Sequence, residues 1–247
     1  MDTLRGVGAF CVAVCLAVFA AWLVAGCKQQ GGKPAPEPVA AHAAPADTVA
    51  APAASPTVAA PGVPQRAMRY RSELIRNARV AWGLSAPVAT FAAQVHQESG
   101  WRPDAKSPVG AAGMAQFMPA TGRWISGLFP ELAANEPYNP SWALRALVTY
   151  DKWLWDRVSG RDACQRMAMA LSAYNGGLGW VQRDKSLTGQ QGGDALVWFG
   201  QVETRNAGRS AAAFRENRGY PRRILGRLEP LYIRSGFGQG VRCVCAQ

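Results

Sequence analysis

From Gln65 onward apolar positions recur at helical spacing, with no strand-like alternation and no internal repeat. A first helix is expected from Gln65 to Trp82. Ser85 is placed to cap a second, with Pro87 in the first turn, where a missing N–H costs nothing. Val88, Phe91 and Val95 form its apolar stripe, and Gly100 ends it. A Gly- and Ala-rich loop, AKSPVGAAGMAQFMPATG, follows. Pro119 opens a short helix through about Leu128. Asn139 and Pro140 start a longer one with Leu144, Leu147, Leu154 and Val158 on one face. Asp162 is placed to cap the next, where Met167, Ala168, Leu171 and Tyr174 align until Asn175-Gly176-Gly177 stops it. Two or three further helices are expected, one starting near Pro221. Helices joined by short Gly-rich connections predict an all-α domain over 65–247.

Upstream of Gln65 the pattern changes twice. Residues 1–27 are nearly all apolar, with Arg5 preceding an uncharged run from Gly6 to Gly26. The run ends in Leu23-Val24-Ala25-Gly26-Cys27, which resembles a bacterial lipobox, whose cysteine is acylated and becomes the mature N-terminus. Two readings stand: a lipoprotein signal with lipidation at Cys27, or an uncleaved membrane helix. Both export the domain and leave it anchored, facing the periplasm or cell wall. Lys28 after the cysteine favours the outer membrane if the host has one. Residues 28–64 form a Pro/Ala-rich linker, expected to be disordered and extended, with a reach on the order of 100 Å.

Composition narrows the partners. The apolar fraction is 49 % and the formal charge is +11, from 27 basic and 16 acidic residues. Such a surface suits a polyanion: nucleic acid, acidic lipid or an acidic wall polymer. There is no recognisable nucleic-acid motif, so nucleic acid ranks last. Of the cysteines outside the apolar run and Cys27, export permits a disulfide between Cys164 and either Cys243 or Cys245. His42 and His96 are the whole histidine complement. No metal site and no cofactor are expected.

The stretch HQESGWRPDA holds the candidate acid. Continuing Val88, Phe91 and Val95 by three reaches Glu98, on the buried side of its helix and in the last turn. Desolvation and the negative end of the helix dipole both disfavour a carboxylate anion there. A raised pKa follows, which is what a general acid needs.

Three separated blocks now carry a resemblance. Glu98-Ser99-Gly100-Trp101, then Ala105 through Thr121, then Ala170-Leu171-Ser172-Ala173-Tyr174-Asn175-Gly176-Gly177 are similar in order and spacing to the soluble lytic transglycosylase family. The resemblance covers about Gly83 to Leu228. It implies a lysozyme-like helical fold and non-hydrolytic cleavage of the MurNAc–GlcNAc bond of peptidoglycan, leaving a 1,6-anhydro sugar. Glu98 would be the catalytic acid, then base. Ser99, Gly113, Met114, Gln116, Tyr174, Asn175 and Tyr220 would contact substrate. Gly110 and Gly113 would let backbone approach the sugar. Met114-Ala115 departs from the family's usual Leu-Met, which puts the contact of that Met in doubt. The family's late Glu, with Tyr four residues on, is matched by Glu216 and Tyr220 rather than by Glu203, which has Ala207 at that spacing. Glu216 is expected to support Tyr174 or the cleft wall, and it is also the best rival as a second catalytic carboxylate. Asp104 is read as a surface residue. The alternatives are a wall-binding lipoprotein that no longer cuts, and a lysozyme-type hydrolase on the same fold. The expected partners are peptidoglycan glycan strands and a membrane.

Overall fold

The computed structural model describes residues 62–243. Its helices are α1 (Arg66–Trp82), α2 (Val88–Ser99), α3 (Pro119–Leu128), α4 (Pro140–Trp155), α5 (Ala163–Gly176), α6 (Leu178–Gln190), α7 (Ala211–Pro221) and α8 (Glu229–Arg234). The described residues include isolated bridges but no strand, so the domain is all-α. The segment 1–27 with Cys27, the spacer up to residue 61, and Cys245 lie outside the described residues. Val63, at the end of the expected spacer, is buried in the core instead. No helix among the described residues is long and apolar enough to cross a membrane.

The core is built around α2, whose residues from Val88 to Val95 are all buried. A helix covered on every side has no polar face to present to water. Here α1, α8 and the segment Arg222–Leu228 surround it, while α4 joins α1 to α5, and α5 joins α6 and α7. α2 ends as its sequence requires: Gly100 adopts φ 60° and donates its N–H to the His96 carbonyl at 2.9 Å.

Among the described residues, three of the eight α-helices start on a side-chain cap. Asn139 accepts from the Ser141 N–H at 3.0 Å, and Asp162 from the Gln165 N–H at 2.9 Å. Ser85 does not cap α2. The first N–H groups of α2 find backbone carbonyls instead, Val88 on Ala86 at 2.9 Å and Ala89 on Gln239 at 3.0 Å. The helix expected to start near Pro221 is a π-helical segment that continues a preceding helix rather than starting afresh. α7 begins at Ala211, capped by Ser210, and Pro221 lies at its end. Pro221 has no N–H to give, and the ladder widens there into a π-helical segment, Arg222–Leu228, that runs straight into α8.

Cys164 at the start of α5 is joined by a disulfide to Cys243, tying down the end of the described chain. A second brace is ionic. Asp184 on α6, fully buried, accepts from Arg209 and from Arg218 at 2.7 Å. Glu203 accepts from Arg222 at 2.6 Å and from the Gly200 N–H at 2.7 Å. These pairs hold α6, α7 and the segment between them in one arrangement.

Candidate active site

A cavity of about 290 Å³ opens at the C-terminal end of α2. One wall is the loop between α2 and α3, contributing Ser107, Val109, Ala111, Gln116 and Phe117, with Met118 and Thr121 following. The other wall is Tyr150 of α4, Tyr174 and Asn175 of α5, and Glu216 of α7. Glu98 lies between them. Phe117, Tyr150 and Tyr174 pack on one another, with ring centroids 5.3–6.0 Å apart. They give the cavity an aromatic side with polar tips, a surface on which a sugar ring can stack.

The loop is shaped by its own backbone. Ala112 exchanges hydrogen bonds with Phe117, at 3.0 and 3.1 Å. Gly113 has φ 73°, and a Cβ there would sit 1.6 Å from the Pro137 carbonyl oxygen. Gln116, itself at φ 50°, donates its side-chain amide to the Gly113 carbonyl at 2.8 Å and the Ala105 carbonyl at 3.2 Å. The Tyr174 hydroxyl donates to the Ala115 carbonyl at 2.8 Å, fastening the loop to α5.

Glu98 is half-buried, and desolvation raises its pKa to about 7. Two neighbours act in opposite directions. The Tyr220 hydroxyl donates a hydrogen bond to Oε1, which favours the anion, while the negative charge of Glu216 disfavours it. Around neutrality Glu98 is therefore divided between acid and base forms.

Of the residues singled out in the sequence, Glu98, Gln116, Tyr174, Asn175 and Glu216 line the cavity. Ser99, Gly113, Met114 and Tyr220 do not. Ser99 is buried, and its hydroxyl donates to the Met114 carbonyl at 2.8 Å while accepting from the Arg102 N–H at 3.1 Å. Met114 is wholly buried in the core. Gly113 serves the approach of backbone to backbone, not of backbone to sugar. Tyr220 is buried behind Glu98 and reaches the cavity only through it. Glu216 is exposed at the rim and does not bond Tyr174, whose hydroxyl is taken by Ala115. Asp104 is outside the cavity. Asn175 is held from behind by the Asn217 side chain at 3.0 Å. The sequence reading missed Tyr150, Phe117 and Thr121. It also missed Asp151 and Gln94, bonded to each other in the interior. A roomier groove of about 540 Å³, between α1 and α4, is lined by Asn77, Val80, Phe129 and Trp153 among others, and Glu98 is not part of it.

The profile of the family described as Transglycosylase SLT domain matches residues 73–197, half of the chain. The chain belongs to the transglycosylase SLT-domain family. The matched segment holds Glu98, the loop and the end of α5, while Glu216 and Tyr220 fall beyond it. Relatives agree in kind. The membrane-bound lytic murein transglycosylase F of Vibrio parahaemolyticus is 32 % identical over 109 residues, 44 % of this chain and 19 % of its own. Its namesake from Pasteurella multocida is 33 % identical over 119 residues, 48 % of this chain and 22 % of its own. The chain thus spans about a fifth of the length of these curated relatives. Among solved structures, the 70 kDa soluble lytic transglycosylase of Escherichia coli is similar, with a TM-score of 0.49 and 23 % identity over 70 % of this chain and 25 % of that one.

Proposed function

We propose that this SLT-domain protein is a peptidoglycan lytic transglycosylase, with Glu98 as its acid and then its base. The observation that carries the reading is a carboxyl with a pKa near 7, at the floor of an aromatic-walled cavity, fixed through one oxygen by Tyr220. With Oε1 held, Oε2 is the oxygen left to carry the proton. It protonates the glycosidic oxygen of a MurNAc-(β1,4)-GlcNAc bond, and the C1–O bond breaks. The acetamido oxygen of the substrate stabilises the cationic C1, a recognised alternative to a second carboxylate. The C6 hydroxyl then attacks C1 and gives its proton to the Glu98 carboxylate. The product is a 1,6-anhydro end and the acid is restored. No water is consumed.

Tyr174, Tyr150 and Phe117 offer stacking, and Gln116 and Asn175 offer amide groups to hydroxyl or acetamido groups. Glu216 at the rim raises the pKa of Glu98 instead of attacking the substrate. The chain acts tethered through Cys27 or an N-terminal membrane helix, facing the wall, and mass spectrometry of the mature N-terminus distinguishes the two. The relatives' names, which call them membrane-bound, support this.

The test is digestion of purified sacculi with mass spectrometry of the muropeptides. Anhydro ends are expected, and Glu98→Gln abolishes their release. Reducing ends in their place would assign a lysozyme-type hydrolase. Binding without turnover would assign a wall-binding protein that no longer cuts.

A further inference from the structure

Beneath the cavity, α2 and α4 bring together two polar side chains that the reaction does not use. Asp151 is wholly buried, and its Oδ1 accepts from the Gln94 side-chain amide at 3.3 Å. Gln94 is wholly buried too. Both remaining oxygens, Oδ2 of Asp151 and Oε1 of Gln94, are buried without a hydrogen-bond partner among the described residues. Two buried acceptors without a protein donor are costly, and a carboxylate buried with one amide for company is costlier still. A single proton on Oδ2 resolves all of it. The carboxyl then donates to Oε1 while Oδ1 accepts from Nε2, closing a ring of two hydrogen bonds between acid and amide.

We propose that Asp151 carries its proton in the folded protein and forms with Gln94 a neutral, doubly hydrogen-bonded pair that positions α2 against α4 beneath Glu98. The amide hydrogen bond from Gln94 favours the anion of Asp151, but the charged neighbour that faces it favours the neutral form. That charge is Glu98 on α2. Tyr150, Tyr174 and Tyr220 on α4, α5 and α7 also lie within reach of the Asp151 charge, but as phenols with pKa values raised above 10 they are neutral, and no cation among the described residues offsets a charge on Asp151. Burial also pushes the Asp151 carboxyl well above the usual carboxylate range. The role toward Glu98 rests on the lytic reading: Gln94 lies one helical turn before Glu98, and a neutral floor keeps a further negative charge away from the acid.

The experiment needs no turnover, so it stands apart from the fate of the lytic reading. In the full chain carrying Glu98→Gln, the unfolding constant is measured in urea from pH 4.5 to pH 7, with and without Asp151→Asn. Asparagine keeps both hydrogen bonds and cannot titrate. A native state that holds a proton released on unfolding loses stability as pH rises. The unfolding constant of the chain that keeps Asp151, relative to that of the Asp151→Asn chain, therefore grows about tenfold per pH unit above the ordinary carboxyl range. A ratio that stays flat overturns the proposal. Infrared spectroscopy of the same folded proteins at pH 7 reads the pair directly, including where unfolding is irreversible. A protonated-carboxyl C=O band is expected with Asp151 and is absent with Asp151→Asn, and Gln94→Met moves it to higher frequency. No band, or a band that ignores Gln94→Met, overturns it.

Discussion

The Tyr220 hydroxyl donates to Oε1 of Glu98 across a sequence separation of 122 residues, and it reaches the acid from behind, out of the cavity. This bond stabilises the anion of Glu98 while Glu216 at the rim destabilises it. The two residues are thus opposed controls on one pKa. Removing the Tyr220 hydroxyl in Tyr220→Phe raises the Glu98 pKa further and moves the alkaline limb of the pH–rate profile upward. It also frees the carboxyl to turn, and kcat/KM falls about 10- to 100-fold, the value of one hydrogen bond to a charged group. Glu216→Gln moves the same limb toward acid. Limbs that shift in the same direction would mean that Glu216 does not set the Glu98 pKa, and a Glu216→Gln enzyme that is dead would make Glu216 a second catalytic carboxylate.

Glu98 costs the folded protein stability. Its pKa is about 7 in the native state against 4.5 for the free side chain, so the unfolded chain releases a proton that the native state retains. Stability is undiminished below the unfolded pKa, declines as pH rises toward 7, and levels off above it. Glu98→Gln removes this loss. The glutamine variant is expected to be more stable than the parent by roughly 2–3 kcal/mol at pH 7.5 and by little at pH 4, read by urea denaturation. An equal difference at both values would place the shift elsewhere.

Asp184 makes the reverse case. It is fully buried and neutralises Arg209 and Arg218, which are themselves nearly buried. Asp184→Asn keeps the shape and removes the one charge that both guanidinium groups contact. A loss of about 3–5 kcal/mol is expected, most of it the cost of uncompensated charge rather than of the lost bonds. If the loss stays under about 1 kcal/mol, water reaches the cluster and the brace between α6 and α7 is not what holds them.

The Cys164–Cys243 bond closes a loop with a sequence separation of 79 residues. Reduction, or Cys164→Ser, should lower stability by about 2–4 kcal/mol through the freer unfolded chain. Thermal melts with and without reductant check this, and the serine variant should ignore the reductant.

What the sequence made legible follows period and punctuation. α1, α3 and α5 begin and end almost where Pro119, Asp162 and the glycines put them, and α4 begins where Asn139 puts it but ends at Trp155, short of Val158. Glu98 was readable from helix register because a single ionisable residue interrupted an apolar stripe. The same logic, applied to Leu147, Asp151 and Leu154 on α4, exposes Asp151, and Phe91 to Gln94 exposes its partner. Neither belongs to a motif that would draw attention to it. Other features were not readable. Ser99 and Met114 carry family positions, yet both are buried here, and the partner that turns Ser99 inward, the Met114 carbonyl, comes from a loop whose path is set by long-range contacts. Pro221 punctuates a helix in sequence but here widens one, since the helix on either side of it is held by tertiary packing.

Gly113 tests how far the cavity wall depends on backbone rather than side chains. Its φ of 73° and the Pro137 carbonyl beside it are separate demands for glycine. Gly110 in the same loop has φ 91°, and a Cβ added there would meet nothing within 4 Å, so it carries the first demand alone. Gly110→Ala should therefore cost about 1–2 kcal/mol, the strain of a left-handed backbone. Gly113→Ala adds a collision between a methyl group and a carbonyl that neither side can relieve by rotating a side chain. The loop must leave Pro137, and Gln116, bonded to the Gly113 carbonyl, goes with it. A loss on the order of 4 kcal/mol is expected, with cleavage of sacculi abolished even at temperatures where the variant is folded. Equal effects from the two alanines would show that conformation alone sets the loop and that the Pro137 contact is incidental.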